Sequence, residues 1–550
     1  MTDGSGLGDV YGATIDRIKA QGGDKSRLGM EALMWISHAE RPLKADELCH
    51  ALAIELDTRD FNAANAPSVS TVVSCCQGLI AIEKEASTVR LIHFTLKEYL
   101  STRSDLFSRP HSAIADICLT YLNSKLVRTI SAYPPPSARG MPFLEYCSLP
   151  WGAHAKIDLS DRTRSLATQL FREYDGHISV KLLLEDFFPL NLEDFEDDYS
   201  PNILFSGLHC AFFFGIVEVV VALIETKCFD INEGGFWGYT PLVWAARKGH
   251  EDVVKIILDC EEVNPDKPDN LGETPLSHAA GAGEVEVVKI LLGQEEVNPD
   301  EVCDEGETPL MRAVWGGHKE VVEILLNQEG VNPNKQSSLG ETPLSFAAYN
   351  GSEGMVETLL ARGEVDPDIP DDEGQTPLWL AARNGHAGVV KILLRHEEVS
   401  PDKPDNDGKT PLLCAAEKGH EGVVNLLLSR QEVIPDKSDK DSKTPLSYAA
   451  EGGHEGVVKI LLERKEVNPD KPDNSSRTPL WHAACGGHGG VVEILLGREE
   501  VNPETRDNDG KTPLQLAARN GHEEVVKILL GVKRSTPISE IITLLERLSL

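Results

Sequence analysis

The tripeptide Thr-Pro-Leu begins at Thr240, Thr274, Thr308, Thr342, Thr376, Thr410, Thr444, Thr478 and Thr512, and every interval is 34 residues. Nine copies in one phase, with no insertion or deletion, leave few options for the fold. A period of this length belongs to stacked supersecondary units, each too small to bury its own apolar face and dependent on its neighbours. A tenth, degenerate copy stands one period earlier, with Ser206-Gly207-Leu208 in place of Thr-Pro-Leu.

One unit shows the local chemistry. Thr410 is placed to cap a helix, and Pro411 follows at the first helical position, where its missing N–H costs nothing. Leu412, Ala415 and Ala416 form an apolar face whose small residues admit a second helix closely. Gly419 ends the first helix, and His420 opens a second with Val423, Val424, Leu427 and Leu428 at helical spacing. From Gln431 to Thr444 the chain is polar, contains Pro435, and reads as an extended, hairpin-like finger. The residue two before each Thr is glycine in seven repeats but Ser442 and Ser476 in two. A recurring turn glycine implies positive φ, so both serines are expected to be strained and their replacement by glycine stabilising.

Gly408 through Leu428 carries the string G-x-T-P-L-x-x-A-A-x-x-G-H-x-x-V-V-x-x-L-L, and in this the chain resembles the ankyrin repeat over residues 201–534. The resemblance implies a mainly α fold, a helical repeat solenoid that binds proteins. One departure stands out. The place after Thr-Pro-Leu, often His in that family, holds Val243, Ser277, Met311, Ser345, Trp379, Leu413, Ser447, Trp481 and Gln515. Part of the family's usual hydrogen-bond network is therefore expected to be altered. The end copies differ too. Ser206 to Ile224, with Phe212, Phe213 and Phe214, is apolar enough to pack on a preceding element, and Ile538 to Leu548 reads as a final capping helix.

Residues 1–200 show no repeat. Met30 to His38, Ala45 to Leu56 and Ser68 to Cys76 read as three helices, and Leu79–Ile82 and Val89–Ile92 as a hairpin, which together make a winged-helix arrangement. Met34-Trp35-Ile36-Ser37, Arg41-Pro42-Leu43, Cys76-Gln77-Gly78-Leu79 and the run from Val89 to Leu100 resemble the region after the NACHT nucleotide-binding domain in fungal signalling proteins. Cys118 to Leu122, Tyr146, Trp151-Gly152 and His154 are similar to the helical continuation of that family. The resemblance implies that this chain corresponds to the back half of such an architecture. The expected divisions are an N-terminal segment 1–22, a winged-helix-like domain 23–105, a helical connector 106–200, a degenerate repeat 201–234, nine repeats over 235–534 and a capping helix 535–550.

Composition and motifs exclude several function classes. With 53 Lys and Arg against 88 Asp and Glu the net charge is −35, which repels nucleic-acid backbones and anionic membranes. The third helix of the winged-helix region has no Lys or Arg from Phe61 to Ile82, so DNA contact is not expected. The most apolar run, Ala211 to Ile224, is too short for a membrane span, the N-terminus lacks a signal-peptide pattern, and eleven scattered cysteines suit a reducing compartment, cytoplasmic or nuclear. Gly22 to Ser26 fails the phosphate-loop frame. Asp405 to Gly408 resembles a calcium loop only at its glycine, with Lys403 and Cys414 where ligands belong, and reads as a finger-tip turn. His250, His318, His386, His420, His454, His488 and His522 repeat one frame position and are expected to open second helices rather than hold metal, while His93 reads as structural. No catalytic constellation emerges, and no cofactor or metal site is expected.

The informative positions vary inside a constant frame. Two lie just before the helix-ending glycine, facing the inner groove of the stack. They supply Arg247, Lys248, Trp315, Tyr349, Asn350, Arg383, Asn384, Glu417, Lys418, Arg519 and Asn520 as candidate protein-binding residues. Trp, Tyr and Arg dominate interface energetics when buried, so the Trp315–Arg383 group leads. The expected function is a non-enzymatic interaction scaffold with a protein partner, the recognition half of a NACHT-ankyrin-like system. The competing expectation is the regulatory portion of an NTP-hydrolysing switch whose phosphate loop lies upstream or on another chain. Isothermal titration of the purified chain with Mg-ATP and Mg-GTP tests the missing phosphate loop: this sequence predicts no micromolar binding, and a saturable magnesium-dependent signal favours the switch.

Overall fold

Each threonine of the Thr-Pro-Leu set caps a helix, its hydroxyl accepting from the backbone amide three residues on at 3.2–3.4 Å. The altered place after Thr-Pro-Leu contributes to these caps. The hydroxyls of Ser277, Ser345 and Ser447 lie 3.0–3.3 Å from the threonine hydroxyl of their own repeat. The computed structural model describes residues 5–56, 61–83, 85–130, 141–173, 177–187 and 205–532. It divides into two units, 1–270 and 271–550. The expected capping helix at 535–550 lies outside the described residues.

In the first unit, helix α1 (Ser5–Ala20) precedes the winged-helix elements α2 (Gly23–His38), α3 (Ala45–Ala51), α4 (Val69–Cys75), β1 (Ile80–Glu83), β2 (Thr88–Leu91) and α5 (Phe94–Thr102). The strands pair antiparallel, Ile80 with Leu91 through Glu83 with Thr88, and a bridge from Lys44 to Thr88 adds a third short segment. Helix α1 was not expected. Tyr11, Ile15 and Ile18 form its buried stripe. Helix α3 stops at Ala51, short of the expected Leu56. His93 is the N-cap of α5, its Nδ1 accepting from the Thr95 amide at 3.3 Å. The degenerate repeat packs as expected on what precedes it: Phe214 lies 4.8 Å from Trp151, ring to ring, and Phe205, Phe212, Phe213 and Phe214 are all buried.

In the second unit each repeat has two short helices, for example Pro411–Lys418 and Glu421–Leu428. Their apolar faces are fully covered, with Leu412, Ala415, Ala416, Val424 and Leu427 at 0% exposure. Each finger ends in a tight turn. Asp405 closes one by accepting from the amides of Asp407 and Lys409 at 2.9 and 2.8 Å, which is the finger-tip turn expected there. Successive fingers are joined by single backbone bonds, such as Asn406 N–H to Glu373 O at 2.8 Å and Asn474 N–H to Asp441 O at 3.0 Å. Lysines add a second link 35 residues apart: Lys403, Lys437 and Lys471 each donate to a backbone carbonyl of the previous finger (Asp368, Asp402 and Asp436) at 2.8 Å.

The recurring histidines do more than begin helices. His318, His386, His420, His454 and His488 sit at the N-cap position without a side-chain capping bond. Within the second unit, the Nε2 of His318, His386, His420, His454, His488 and His522 instead bonds the carbonyl 37 residues earlier, at 2.9–3.1 Å. The imidazole lies against the positive-φ glycine of the preceding repeat. A Cβ on Gly419 would stand 2.5 Å from His454 Nδ1. The frame breaks at Ser352, which stands where a histidine belongs, and Gly317 opposite it has open space.

Ser442 and Ser476 have φ of +61° each, as the glycine pattern implies. Their strain is offset, however, because Ser442 Oγ donates to Asn474 Oδ1 at 2.7 Å and Ser476 Oγ to Asn508 Oδ1 at 2.8 Å. The glycine gain expected from sequence is thereby reduced. Ser442→Ala with Ser476→Ala, which keeps the strain and removes the bonds, should lower stability by about 1 kcal/mol per site. The double glycine variant should stay within about 0.5 kcal/mol of the parent, because relief of the left-handed conformation (about 1 kcal/mol) is cancelled by the lost bond. Denaturant unfolding reads both, and an alanine pair as stable as the parent removes the compensation argument. Gly317→Ala and Gly419→Ala test the histidine in the same assay. Both carry the φ cost, at +76° and +78°, but only Gly419 faces an imidazole, so its variant should be the less stable by about 1 kcal/mol or more.

Candidate interaction groove

Three positions of each repeat meet on one face: the residue before the capping Thr, the fourth after it, and the seventh after it. The sixth and seventh regular repeats show the register. Lys409 Nζ lies 2.9 Å from Glu417 and 4.7 Å from the Tyr448 ring centre; Lys443 Nζ lies 2.7 Å from Glu451 and 4.9 Å from the same ring. Tyr448 donates to Asp439 at 2.7 Å. Burial works against the charge on Lys409, but the hydrogen bond and charge of Glu417 outweigh it and hold the ammonium above its usual range. In the eighth repeat the Arg477 guanidinium lies 4.7 Å over the Trp481 ring, and His482 pairs with Asp473 at 3.2 Å. This end of the groove is neutralised within itself.

The other end of the second unit differs in charge. The residue before Thr is Glu273, Glu307, Glu341 and Gln375 in the second to fifth repeats, then Lys409, Lys443, Arg477 and Lys511. Arg312 is shared between Glu273 and Glu307, the latter at 3.3 Å, and His278 lies 3.4 Å from Glu273. Burial, then Glu305 and Glu341, raise the carboxyl of Glu307; burial, then Asp371, raise that of Glu341. This column was not among the expected site residues. Its signal, a sign change along one repeat position, is visible once the sequence is read in columns.

The expected residues fall into distinct roles. In the first unit Arg247 donates to the Tyr239 hydroxyl at 3.0 Å, and Lys248 lies 4.6 Å over the Phe213 ring. In the second unit Trp315 and Tyr349 are brought together. Their ring centres are 6.5 Å apart at 21°, Trp315 is edge-on to Phe346 at 5.7 Å, and the two are 55% and 50% exposed. Arg383 instead turns to its own repeat, 5.4 Å over the Trp379 ring. Asn384 and Asn520 use their side-chain amides on the preceding repeat, donating to Tyr349 O at 3.2 Å and Cys485 O at 3.0 Å. Glu417 is held by Lys409, with Lys418 3.9 Å away. Asn350 and Arg519 are exposed.

Elsewhere, Glu40, His111 and His154 of the first unit each bring a ligand atom within 4.8 Å of the others, the arrangement a metal would need. The same groups also form a hydrogen-bond chain. The Glu40 amide donates to Tyr146 Oη at 3.4 Å, Tyr146 meets His154 Nε2 at 3.3 Å, and His154 Nδ1 meets His111 Nδ1 at 2.8 Å. Burial, reinforced by His111 and His38, lowers His154 to about 4, so its imidazole is neutral. A cavity of about 320 Å³ beside β2 is lined by Ile36, Leu43, Val89, His93, Phe94 and Lys97 among others. No helix among the described residues is long and apolar enough to cross a membrane.

The residues from 17 to 111 match the family described as GPI inositol-deacylase, winged helix domain, a NACHT-associated type. No curated protein matches the chain. The family described as Ankyrin repeats (3 copies) matches in overlapping stretches at 173–269, 261–337, 326–405, 344–437, 394–473, 430–507 and 465–537. Stacked two-helix units in a constant frame, together with a match that runs through well over half its length, place this chain in the ankyrin-repeat family.

Proposed function

We propose that the chain is a non-enzymatic recognition scaffold whose repeat groove, including Trp315, Tyr349, Arg383 and the neighbouring candidate positions, engages a protein partner. Ankyrin repeats support a protein-interaction role as such. The observation that carries the groove reading is the Trp315–Tyr349 pair: two large aromatic rings, half exposed and stacked on each other, on a face whose other end satisfies its own charges. Exposed aromatics of this size are the residues that anchor interfaces. In its biological setting the reading is the recognition half of a NACHT-ankyrin-like signalling or self/non-self system of the fungal kind, in the cytoplasm or nucleus. The winged-helix match supports that setting and equally supports a second reading, in which this chain is the regulatory and sensor portion of an NTP-hydrolysing switch.

Affinity capture with the full chain tests the groove. The variant Trp315→Ala, Tyr349→Ala, Arg383→Ala should lose its main partner by about tenfold or more, since truncating an anchor costs about 2 kcal/mol, while its circular dichroism is unchanged. Undiminished capture moves the binding face to the fingers, the outer helices or the N-terminal unit.

A further inference from the structure

We propose that the groove between the third and fourth regular repeats receives an arginine side chain of the protein partner, its guanidinium stacking on the exposed rings of Trp315 and Tyr349 and pairing with the carboxylate of Glu341. The proposal rests on the groove reading above and names the chemistry that reading leaves open.

The register carries the first part of the argument. The residue before Thr and the seventh after it face each other, and in the sixth and seventh repeats they form the ion pairs Lys409–Glu417 and Lys443–Glu451. In the third and fourth repeats the same places hold Glu307 with Trp315 and Glu341 with Tyr349. A carboxylate beside an aromatic face cannot neutralise itself. Both attract a cation, the carboxylate by charge and the ring by its quadrupole.

The charge balance gives the second part. Arg312 is spent on Glu273 and Glu307. Among the described residues no cation lies within 4.0 Å of Glu341, whose polar contact is the Ser337 hydroxyl at 3.5 Å. Asp371, the nearby acid of the next finger, only adds repulsion. Glu341 also takes its place beside the fourth residues of its own and the next repeat, Phe346 and Leu380, which offer no donor. The site thus has one uncompensated carboxylate and two exposed aromatic faces.

Geometry selects the cation. The Trp315 and Tyr349 rings, near-parallel at 21° with centres 6.5 Å apart, suit a flat cation stacked on their exposed faces. This is also the junction where Ser352 replaces histidine, so no imidazole from the fourth repeat holds the carbonyl of Trp315, and Gly317 is uncovered. The two rings therefore adjust to a stacked guest against less resistance here than at the pegged junctions. Guanidinium is planar, stacks on aromatic faces and bonds carboxylates in a fork; an ammonium does neither of the last two as well. A divalent metal would find too few oxygen ligands beside the rings, and phosphate would be repelled.

The probe is a labelled short peptide of alternating glycine and arginine, measured by fluorescence anisotropy at low salt against the full chain. Its counterparts carry lysine or the neutral isostere citrulline. The arginine peptide should saturate at one site, the lysine peptide should bind more weakly, and the citrulline peptide should not saturate. Glu341→Gln, and separately Trp315→Ala with Tyr349→Ala, should each weaken the arginine peptide by about tenfold. Glu320→Gln with Glu357→Gln, a double loss of exposed charge on the second helices of the same repeats, should leave binding unchanged. Equal weakening in that control shows general attraction to an acidic protein and overturns the proposal, as does equal binding of the citrulline peptide or an absence of saturable binding. The two readings fail differently. If the triple variant loses the natural partner while Glu341→Gln retains it, the groove reading stands and the arginine proposal falls. If the peptide depends on Glu341 while the triple variant keeps the partner, the partner's site lies elsewhere, and both the groove reading and the claim that the partner supplies the arginine fall.

Discussion

A helix of seven to ten residues has no independent stability in water, and each repeat of the second unit contains two such helices. Their stability is therefore borrowed from neighbours. The loans are specific: threonine caps within a repeat, then between repeats the apolar Leu, Ala and Val faces, a backbone bond between fingers, a lysine reaching back 35 residues, and an imidazole set against a glycine. Because most of these links recur with the period, one local rule written many times, with a few local exceptions, produces the stack of the second unit. Residues free of that rule are free to vary, and they line the groove.

Much of this was legible in the amino-acid sequence, and the reasons for the rest are physical. The caps, helix pairs and finger turns are local, so Thr-Pro-Leu, the paired valines and Asp405 announce them within one period. The role of His454 is not local. Its bond goes to Glu417 O in the previous repeat, and nothing near His454 in sequence tells a helix opener from an inter-repeat bond. The strain at Ser442 was likewise readable from the glycine column, whereas its relief by Asn474 was not, because that partner is 32 residues away. Helix α1 was missed since Gly6, Gly8 and Gly12 lower its propensity; its buried Tyr11, Ile15 and Ile18 were the signal.

The groove shows a similar division. Trp315 and Tyr349 were identifiable as odd residues in a constant frame, and the structure stacks them. Arg383, Asn384 and Glu417 were equally odd, yet each is engaged inside the protein, with Trp379, the Tyr349 carbonyl and Lys409. Variability in a column thus marks freedom from the frame; exposure and unmet charge then rank its residues, with Trp315 and Tyr349 ahead of the three that already have a contact within the chain.

The pairing of a glycine in one repeat with the histidine of the next has a genealogical consequence. Since donor and acceptor occupy the same two places in each pegged unit, a recombination that removes or adds whole periods leaves every surviving junction chemically complete. The array can change length and exchange its groove residues without relearning how to fold. At Gly317 one such event would close the gap: loss of residues 342–375 would bring His386, which now rests against Gly351, opposite Gly317. A lineage can therefore gain or lose this gap in a single genetic step.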